Sequence, residues 1–173
     1  MFFFRKTMRK KFFPLLIAAG IIIFLAGTAH PDSLMIPANN FIAGGPNHPG
    51  LDCYNGEDLF NYFGATYTLF FAPVHLPQDA QVTSVVVYYQ DNSAGHINIQ
   101  FERRNLVSLA VHDLAEWDTE GEVSGLRNHK ISPISYGKVN NEGYTYWLFL
   151  RYSDGSAGTD LTIYGIKINY NVP

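Results

Sequence analysis

Cysteine is almost missing from this chain of 173 residues, since Cys53 is its single one. A lone cysteine excludes an internal disulfide, so the fold must depend on its hydrophobic core. A chain of this length buries enough apolar surface to do so. We expect Cys53 to be buried, as free cysteines usually are, with an intermolecular disulfide as the alternative.

Basic residues are scarce beyond the first eleven positions. Five of the 12 lysines and arginines lie between Arg5 and Lys11. Without residues 1–29, seven basic side chains remain against all 15 acidic ones, which is a net formal charge of −8. Such a charge argues against nucleic acid as a partner, because phosphates require a basic surface. It favours solubility and can attract cations.

The first 29 residues have the order of a secretory signal. The basic cluster precedes the uncharged run Phe12–Ala29, which ends in the small residues Gly-Thr-Ala. We predict cleavage after Ala29, so that residues 1–29 are a signal peptide and residues 30–173 form one domain. The alternative is an uncleaved anchor, because 18 uncharged residues reach the lower limit for a spanning helix. In both cases the domain is exported, either secreted or held in the cell envelope.

Helical patterns are missing from residues 30–173. β-Branched and aromatic residues instead form short runs separated by Gly, Pro, Asn and Asp, which is typical of strands and turns. The sequence therefore predicts an all-β fold after the N-terminal signal helix. We expect an antiparallel β-sandwich of jelly-roll type with seven to eight strands, and a closed barrel is the alternative.

The middle of the chain carries specific strand predictions. Val82–Gln90 is apolar on both faces, which indicates a central strand covered on both sides. The turn Asp91–Gly95 and the alternating run His96–Arg104 would complete a hairpin with it. Leu106–His112 reads as a further strand, and the acidic stretch Asp113–Gly125 as a long loop.

Two strong strands are predicted near the C-terminus. Tyr144–Tyr152 (YTYWLFLRY) is rich in aromatic residues, and we expect its Trp147 to lie in the core. In Leu161–Tyr170 the apolar positions change parity partway, which an unbroken period of two does not allow on one face. A β-bulge at Tyr164-Gly165 would reconcile the two halves, since glycine makes a bulge inexpensive.

Three segments resemble a known pattern: Phe71–Val85 (FAPVHLPQDAQVTSV), Tyr88–Asn92 (YYQDN) and Leu161–Tyr170 (LTIYGIKINY). Together they are similar to uncharacterised secreted bacterial β-sandwich proteins in which a strand ends in an APVxLPxxAxVT corner. The resemblance covers roughly residues 34–173 in layout. It implies a β-sandwich fold and export, and it brings neither an activity nor functional residues.

Catalytic motifs are absent from the sequence. No G-x-S-x-G elbow occurs, and the histidines show neither H-x-H nor H-E-x-x-H spacing. His112 and Asp113 are adjacent, so on a strand they point to opposite faces and cannot act as base and partner. We therefore predict a non-enzymatic binding or structural module at the cell surface or outside the cell, with a secreted hydrolase as an alternative.

Two polar segments are candidate calcium sites, because Ca²⁺ prefers six to eight oxygen ligands. One has five carboxylates within ten residues, and the other is the Gly-rich stretch that follows Tyr152. The alternative for both is a solvated loop. The predicted ligands are Asp113, Asp118, Glu120, Glu122, Asp154, Ser156 and Asp160.

Aromatic residues are abundant, with 13 Phe, 11 Tyr and two Trp. Exposed Tyr and Trp can stack on sugar rings, and Trp117, Tyr136 and Tyr144 are the predicted ligand-binding residues. A carbohydrate-binding module stabilised by calcium, with a polysaccharide as partner, is therefore an alternative function. Another is a surface-polymer subunit that self-associates by pairing Leu34–Ala43 with a neighbour's sheet edge. Membrane contact is expected only if the signal segment is not cleaved, and then only through residues 12–29.

Overall fold

The computed structural model describes residues 30–44, 59–60, 68–121, 123–153 and 160–173. The predicted signal segment and Cys53 lie outside these ranges. Within them, no helix has the length and apolar character needed to cross a membrane.

The described residues form ten strands joined by turns, with a short 3₁₀ helix at Ala38–Asn40. The strands are β1 (His30–Pro37), β2 (Ile42–Gly44), β3 (Leu59–Phe60), β4 (Thr68–Val74), β5 (Gln81–Asp91), β6 (Ile97–Asn105), β7 (Val111–Asp118), β8 (Val123–Ile131), β9 (Tyr144–Tyr152) and β10 (Leu161–Val172).

The strands pair into two five-stranded sheets. Sheet A has the order β1-β10-β5-β8, with β3 also paired to β10, and sheet B has the order β2-β4-β9-β6-β7. Every pairing is antiparallel. The predicted antiparallel β-sandwich is therefore confirmed. It has more strands than expected because short runs such as β2 and β3 also pair.

The core lies between the inner faces of the two sheets, to which both contribute large apolar side chains. Burial alternates along β6 and β9, as expected for strands with one face inward. The largest fully buried side chains include Phe70, Phe101, Leu148 and Tyr152 from sheet B, and Leu161, Ile163 and Ile166 from sheet A.

The predicted bulge in the last strand is confirmed. Ile163 of β10 pairs with Tyr89 and Gly165 pairs with Tyr88, so Tyr164 is the extra residue. The bulge restores the parity of the strand, since Ile163 and Ile166 are both fully buried. A side chain at Gly165 would lie about 3.2 Å from the backbone oxygen of a β1 residue.

Gly165→Ala is expected to destabilise the fold by about 1–3 kcal/mol, because the added Cβ must push the backbone of β1 away. Urea denaturation of the purified variant and wild type measures the difference. Equal midpoints would show that β1 yields without cost, contrary to the tight contact at this bulge.

β5 occupies the interior of sheet A between β10 and β8, as its apolar sequence predicted. Val85 and Val87 are completely buried on the inner face. Val86 and Tyr88 on the outer face are only half-buried. The predicted cover on both sides is therefore incomplete.

The predicted hairpin between β5 and β6 is wrong, because β5 belongs to sheet A and β6 to sheet B. Both edges of β5 are already occupied, by β10 and β8. The connection instead crosses between the sheets and is held by the buried carboxylate of Asp91. That carboxylate accepts hydrogen bonds from the backbone N–H groups of Ser93 (3.3 Å) and Gly121 (3.0 Å).

The segment after β6 also differs from the prediction. Leu106–Ser108 form a turn in place of the start of a strand, because Asn105 Oδ1 accepts hydrogen bonds from the N–H groups of Val107 and Ser108. Six of the 13 residues in the acidic stretch expected to be a loop, Asp113–Asp118, belong to strand β7, and the last three belong to β8. Its charged residues can join a sheet because most of them lie on the solvent face.

The segment Leu34–Ala43 pairs within its own sandwich. β1 pairs with β10 over eight residues, and β2 pairs with β4. Ile36 and Ala38 are buried in the core. No strand of this segment is left unpaired, so the strand-donation hypothesis has no free donor here.

Candidate functional site

The candidate site is the outer face of sheet B, where aromatic and polar side chains lie side by side. Its position follows from the alternation along β9. Tyr146 and Leu148 are buried between the sheets, whereas Trp147 and Phe149 are half-buried on the opposite face. The prediction that Trp147 lies in the core is therefore wrong.

One half of this face is an aromatic strip, which consists of Ile42, Phe71, Pro73, Trp147 and Phe149. Cross-strand pairing aligns Ile42 with Phe71, Phe71 with Phe149, and Pro73 with Trp147. The rings of Phe71 and Phe149 are 6.3 Å apart between centroids and tilted by 36°. Ile42 is 57% exposed at the edge of the sheet. The strip is a continuous apolar platform across three strands.

The other half is an amide–carboxylate row on β6 and β7. Outward positions of these strands pair Asn98 with Asp118, Gln100 with Glu116, and Glu102 with Asp113. The row therefore consists of Asn98, Gln100, Glu102, Asp113, Glu116 and Asp118.

The amides of this row hold two of its carboxylates in place. Asn98 Nδ2 donates to Glu116 Oε1 (3.0 Å) and to Asp118 Oδ1 (2.8 Å), and Gln100 Nε2 donates to the same oxygen of Glu116 (2.9 Å). Because both hydrogens of the Asn98 amide are used, its Oδ1 is oriented the other way. That oxygen is buried and has no hydrogen-bond partner among the described residues.

Two glutamates of the row have pKa values displaced in opposite directions. Hydrogen bonds from Asn98 and Gln100 lower the pKa of Glu116, because they stabilise its ionised form. Burial raises the pKa of Glu102, and repulsion from Asp113 raises it further. The face thus combines a carboxylate that is readily ionised with a carboxyl that resists ionisation.

Glu102→Gln is expected to stabilise the fold at neutral pH but not in acid. A raised pKa means that the native state binds more protons than the unfolded state, so wild-type stability falls as the pH rises through and above the ordinary value of 4.5. Glu102→Gln carries no ionisable group at this position, so its stability does not fall in this way as the pH rises. Urea midpoints measured at about pH 4 and about pH 7 should therefore diverge only at the higher pH. A constant difference at both would contradict this.

A cavity of about 530 Å³ continues the polar half toward one end of the sandwich. It is lined by Asn98 and Asp118 of the row, by Arg151, and by the connections around His96 and Ser153. Arg151 lies on β9 opposite Asn98, at the boundary between the strip and the row. The face and this cavity form one surface on which an extended ligand can lie.

Trp117, a predicted ligand-binding residue, lies on the inner side of β7. Its ring stacks on His129 with centroids 4.0 Å apart and an interplanar angle of 2°, and it meets Tyr89 edge-on at 5.2 Å. The indole is half-buried and packs against the core. It closes the gap between β7 and β8, which belong to different sheets, and its role in binding stays a prediction.

Tyr136 and Tyr144, the other two predicted binding residues, are brought together by an arginine. The guanidinium carbon of Arg103 lies 4.3 Å from the ring centroid of Tyr136 and 4.2 Å from that of Tyr144. Tyr136 is 58% exposed. The pair lies at the end of β6, since Tyr144 pairs with Asn105, and is thus separated from Trp117.

The predicted calcium ligands do not form a cluster in the described part of the chain. No group of three or more His, Cys, Asp or Glu residues suited to a metal ion occurs there. Four of the predicted ligands are described and exposed: Asp113, Asp118, Glu120 and Asp160. The other three lie outside the described residues: Glu122, Asp154 and Ser156. A calcium site stays a prediction.

Sequence reasoning missed the aromatic strip, although β9 carried a signal for it. Trp147 and Phe149 share their parity with Arg151, and an arginine at that parity marks a face that reaches solvent. The positions of the other parity, which include Tyr146, contain no charged residue. Charge within one parity of an otherwise aromatic strand therefore distinguishes its two faces.

No protein-family model matches the sequence, and no curated protein matches it. Similar solved structures include the xylan-binding module CBM15, with a TM-score of 0.46 and 11% identity over 81% of this chain and 97% of that one. A family 35 carbohydrate-binding module from Clostridium thermocellum has a TM-score of 0.42 and 11% identity, over 79% of this chain and 97% of that one. A family 11 carbohydrate-binding module from the same organism has a TM-score of 0.40 and 12% identity, over 83% and 91%. At such values the likeness is distant, and the function has to be inferred from this chain's own side chains.

Proposed function

We propose that this protein is an exported glycan-binding module whose site is the outer face of sheet B. The observation that carries the proposal is the aromatic strip lying beside the amide–carboxylate row on a single face. A sugar ring offers an apolar face that stacks on aromatic rings, and hydroxyl edges that hydrogen-bond to amides and carboxylates. The face supplies both kinds of partner in adjacent strands.

The balance of donors and acceptors favours a neutral glycan. The row holds four carboxylates, against the two arginines Arg104 and Arg151 on the same face. A uronate or sulfate group would be repelled by the carboxylates. We therefore infer a hydroxyl-rich, uncharged polysaccharide as the ligand.

Affinity electrophoresis of the purified full chain tests this proposal. Gels containing xylan, mixed-linked β-glucan, mannan or polygalacturonate are compared with a gel without polysaccharide. Retardation by at least one neutral polysaccharide, and none by polygalacturonate, is the expected result. A folded protein that is retarded by none of the neutral glycans would refute the proposal, whereas retardation by polygalacturonate alone would refute only the inferred ligand class.

A second candidate, glycoside hydrolysis, is favoured by the two glutamates with oppositely displaced pKa values. Glycosidases use one carboxylic acid that stays protonated and one carboxylate that stays ionised. Burial raises the pKa of Glu102 and hydrogen bonds lower that of Glu116, which are the directions of shift that these two roles require. The amide hydrogen bonds that occupy Glu116, however, favour a positioning role for it.

The two candidate functions are separated by measuring the release of reducing ends from each polysaccharide that retards the protein in the gel. Under the binding proposal no reducing ends accumulate above the level without protein. Hydrolysis would instead give turnover that Glu102→Gln abolishes. That second outcome would make the protein an enzyme.

A further inference from the structure

The turn between β6 and β7 carries an apolar tip that nothing in the described structure covers. Leu106 is 50% exposed, Val107 92%, Leu109 61% and Val111 49%. Four aliphatic side chains within six residues, all this exposed, are unusual for a surface that faces only water. The glycan-binding face does not use them, because the strip and the row lie further along the strands.

The tip is held in a defined shape. Asn105 Oδ1 accepts hydrogen bonds from the N–H groups of Val107 (2.9 Å) and Ser108 (2.8 Å), and the N–H of Leu109 donates to the Asn105 carbonyl (3.0 Å). Leu109 has φ of 60°, which a bulky residue adopts only when its surroundings impose it. The backbone is thus well paired while its aliphatic side chains project outward.

The tip lies at the end of the sandwich where the described chain begins. His30 pairs with Val172 at the end of β10, and the adjoining residue of β10 pairs with Gln81 at the start of β5. The corner before Gln81 leads back to Val74, which pairs with Tyr146 near the start of β9. The start of β9 adjoins the tip, because the N–H of Leu106 donates to the carbonyl of Gly143 (2.9 Å).

Residues 1–29 therefore join the domain on the side where the tip projects. They include the uncharged run 12–29, which is 18 residues long and suited to a bilayer. The charges around the tip nearly balance, since Arg103 and Arg104 are opposed by Glu102, Asp113 and Glu142. Exposed Tyr136 lies over Arg103 at the same end, and tyrosine favours the boundary between lipid and water.

We propose that residues 1–29 are retained as the uncleaved anchor, the alternative to cleavage after Ala29, and that the apolar tip contacts the surface of the bilayer that holds them. A small number of aliphatic side chains binds a membrane only weakly. The tether formed by residues 1–29 compensates for this, because it keeps the tip at high local concentration near the surface. The strands of sheet B run away from the tip, so the cavity near His96 faces away from the membrane. In this orientation the tip of the domain contacts the membrane, and the outer face of sheet B remains accessible to ligands.

Fluorescence quenching by brominated lipid tests the contact. The full chain carrying Val107→Trp is reconstituted into phosphatidylcholine vesicles with and without brominated acyl chains, beside the unmodified chain as background. Leu126→Trp is the matched control, because Leu126 is also strongly exposed (68%) but lies in β8 near the opposite end. Brominated lipid should quench about half or more of the fluorescence added at position 107 and little of that added at position 126.

Equal quenching at the two positions, or none at position 107, would overturn the proposal. A second copy of the chain is the competing occupant of the tip. Cross-linking in the same vesicles detects it, with Val107→Asp as the disrupting variant. Dimers that Val107→Asp abolishes, together with an unquenched Trp at position 107, would assign the tip to self-association. Because neither measurement involves a glycan, their outcome is independent of the proposed function.

Discussion

Trp147→Ala is expected to lower the affinity of the protein for the polysaccharide that retards it in affinity electrophoresis by about 10- to 100-fold. The indole is the largest ring of the aromatic strip and lies between Pro73 of β4 and Glu102 of β6. Removing it deletes the apolar surface that a sugar ring would cover, next to the hydrogen-bonding row. Isothermal titration calorimetry with oligosaccharides prepared from that polysaccharide measures the loss of affinity.

Trp117→Phe is the matched control for that experiment, because Trp117 is the other tryptophan of the chain and lies on the inner side of β7. Its loss should lower the urea midpoint through the stacked contact with His129 while leaving the affinity of the folded protein unchanged. If instead Trp117→Phe weakens binding and Trp147→Ala does not, the binding surface lies at the gap between β7 and β8. The original sequence prediction for Trp117 would then be correct.

Phe70→Ala is expected to destabilise the fold by about 3–5 kcal/mol, which is a large part of the stability of a domain of this size. Phe70 is 1% exposed, and its ring packs edge-on against Tyr152 with centroids 5.7 Å apart. The truncated side chain leaves a cavity between the two sheets that a β-sheet cannot close by relaxing. Denaturation in urea, with the m-value checked for two-state behaviour, gives the difference.

Phe71→Ala provides the comparison, since the same side chain is removed one residue further along β4, on the outer face. It should cost clearly less stability than Phe70→Ala, because Phe71 is only half-buried. It should also weaken glycan binding, because Phe71 belongs to the aromatic strip. Equal losses of stability for the two variants would mean that the outer face is covered by protein and is not a binding surface.

The two halves of the proposed site differ in how far the sequence could reveal them. The carboxylates of β7 are visible in the sequence as an acidic cluster, which predicts a calcium-binding loop or a solvated loop rather than a strand. Their alignment with Asn98 and Gln100 depends on the pairing of β6 with β7. The sequence also indicates that aromatic residues could bind sugars, but the three residues that it predicts for this role are Trp117, Tyr136 and Tyr144. The structure places none of these on the outer face of sheet B beside Trp147.

The hairpin prediction shows why local patterns did not determine the pairing. The turn Asp91–Gly95 has suitable residues, and the flanking runs both read as strands. The pairing partner of β5 is decided by β10 and β8, which come from distant parts of the sequence. Once both edges of β5 are occupied, the turn can only lead to the other sheet.

The sequence left a sandwich and a closed barrel as alternatives, but by itself it determined that the chain forms strands and that the last strand bulges at Tyr164-Gly165. These properties are local, because a period of two and a change of parity can be seen within ten residues. Only the tertiary structure decided which face of β4 is inside, whereas Arg151 marks the outer face of β9 in the sequence. Both faces of β4 carry large apolar side chains, so burial depends on which sheet lies opposite. The pairing of the strands also places Trp147 on the outer face that we propose binds glycans, and Trp117 in the packing between the sheets.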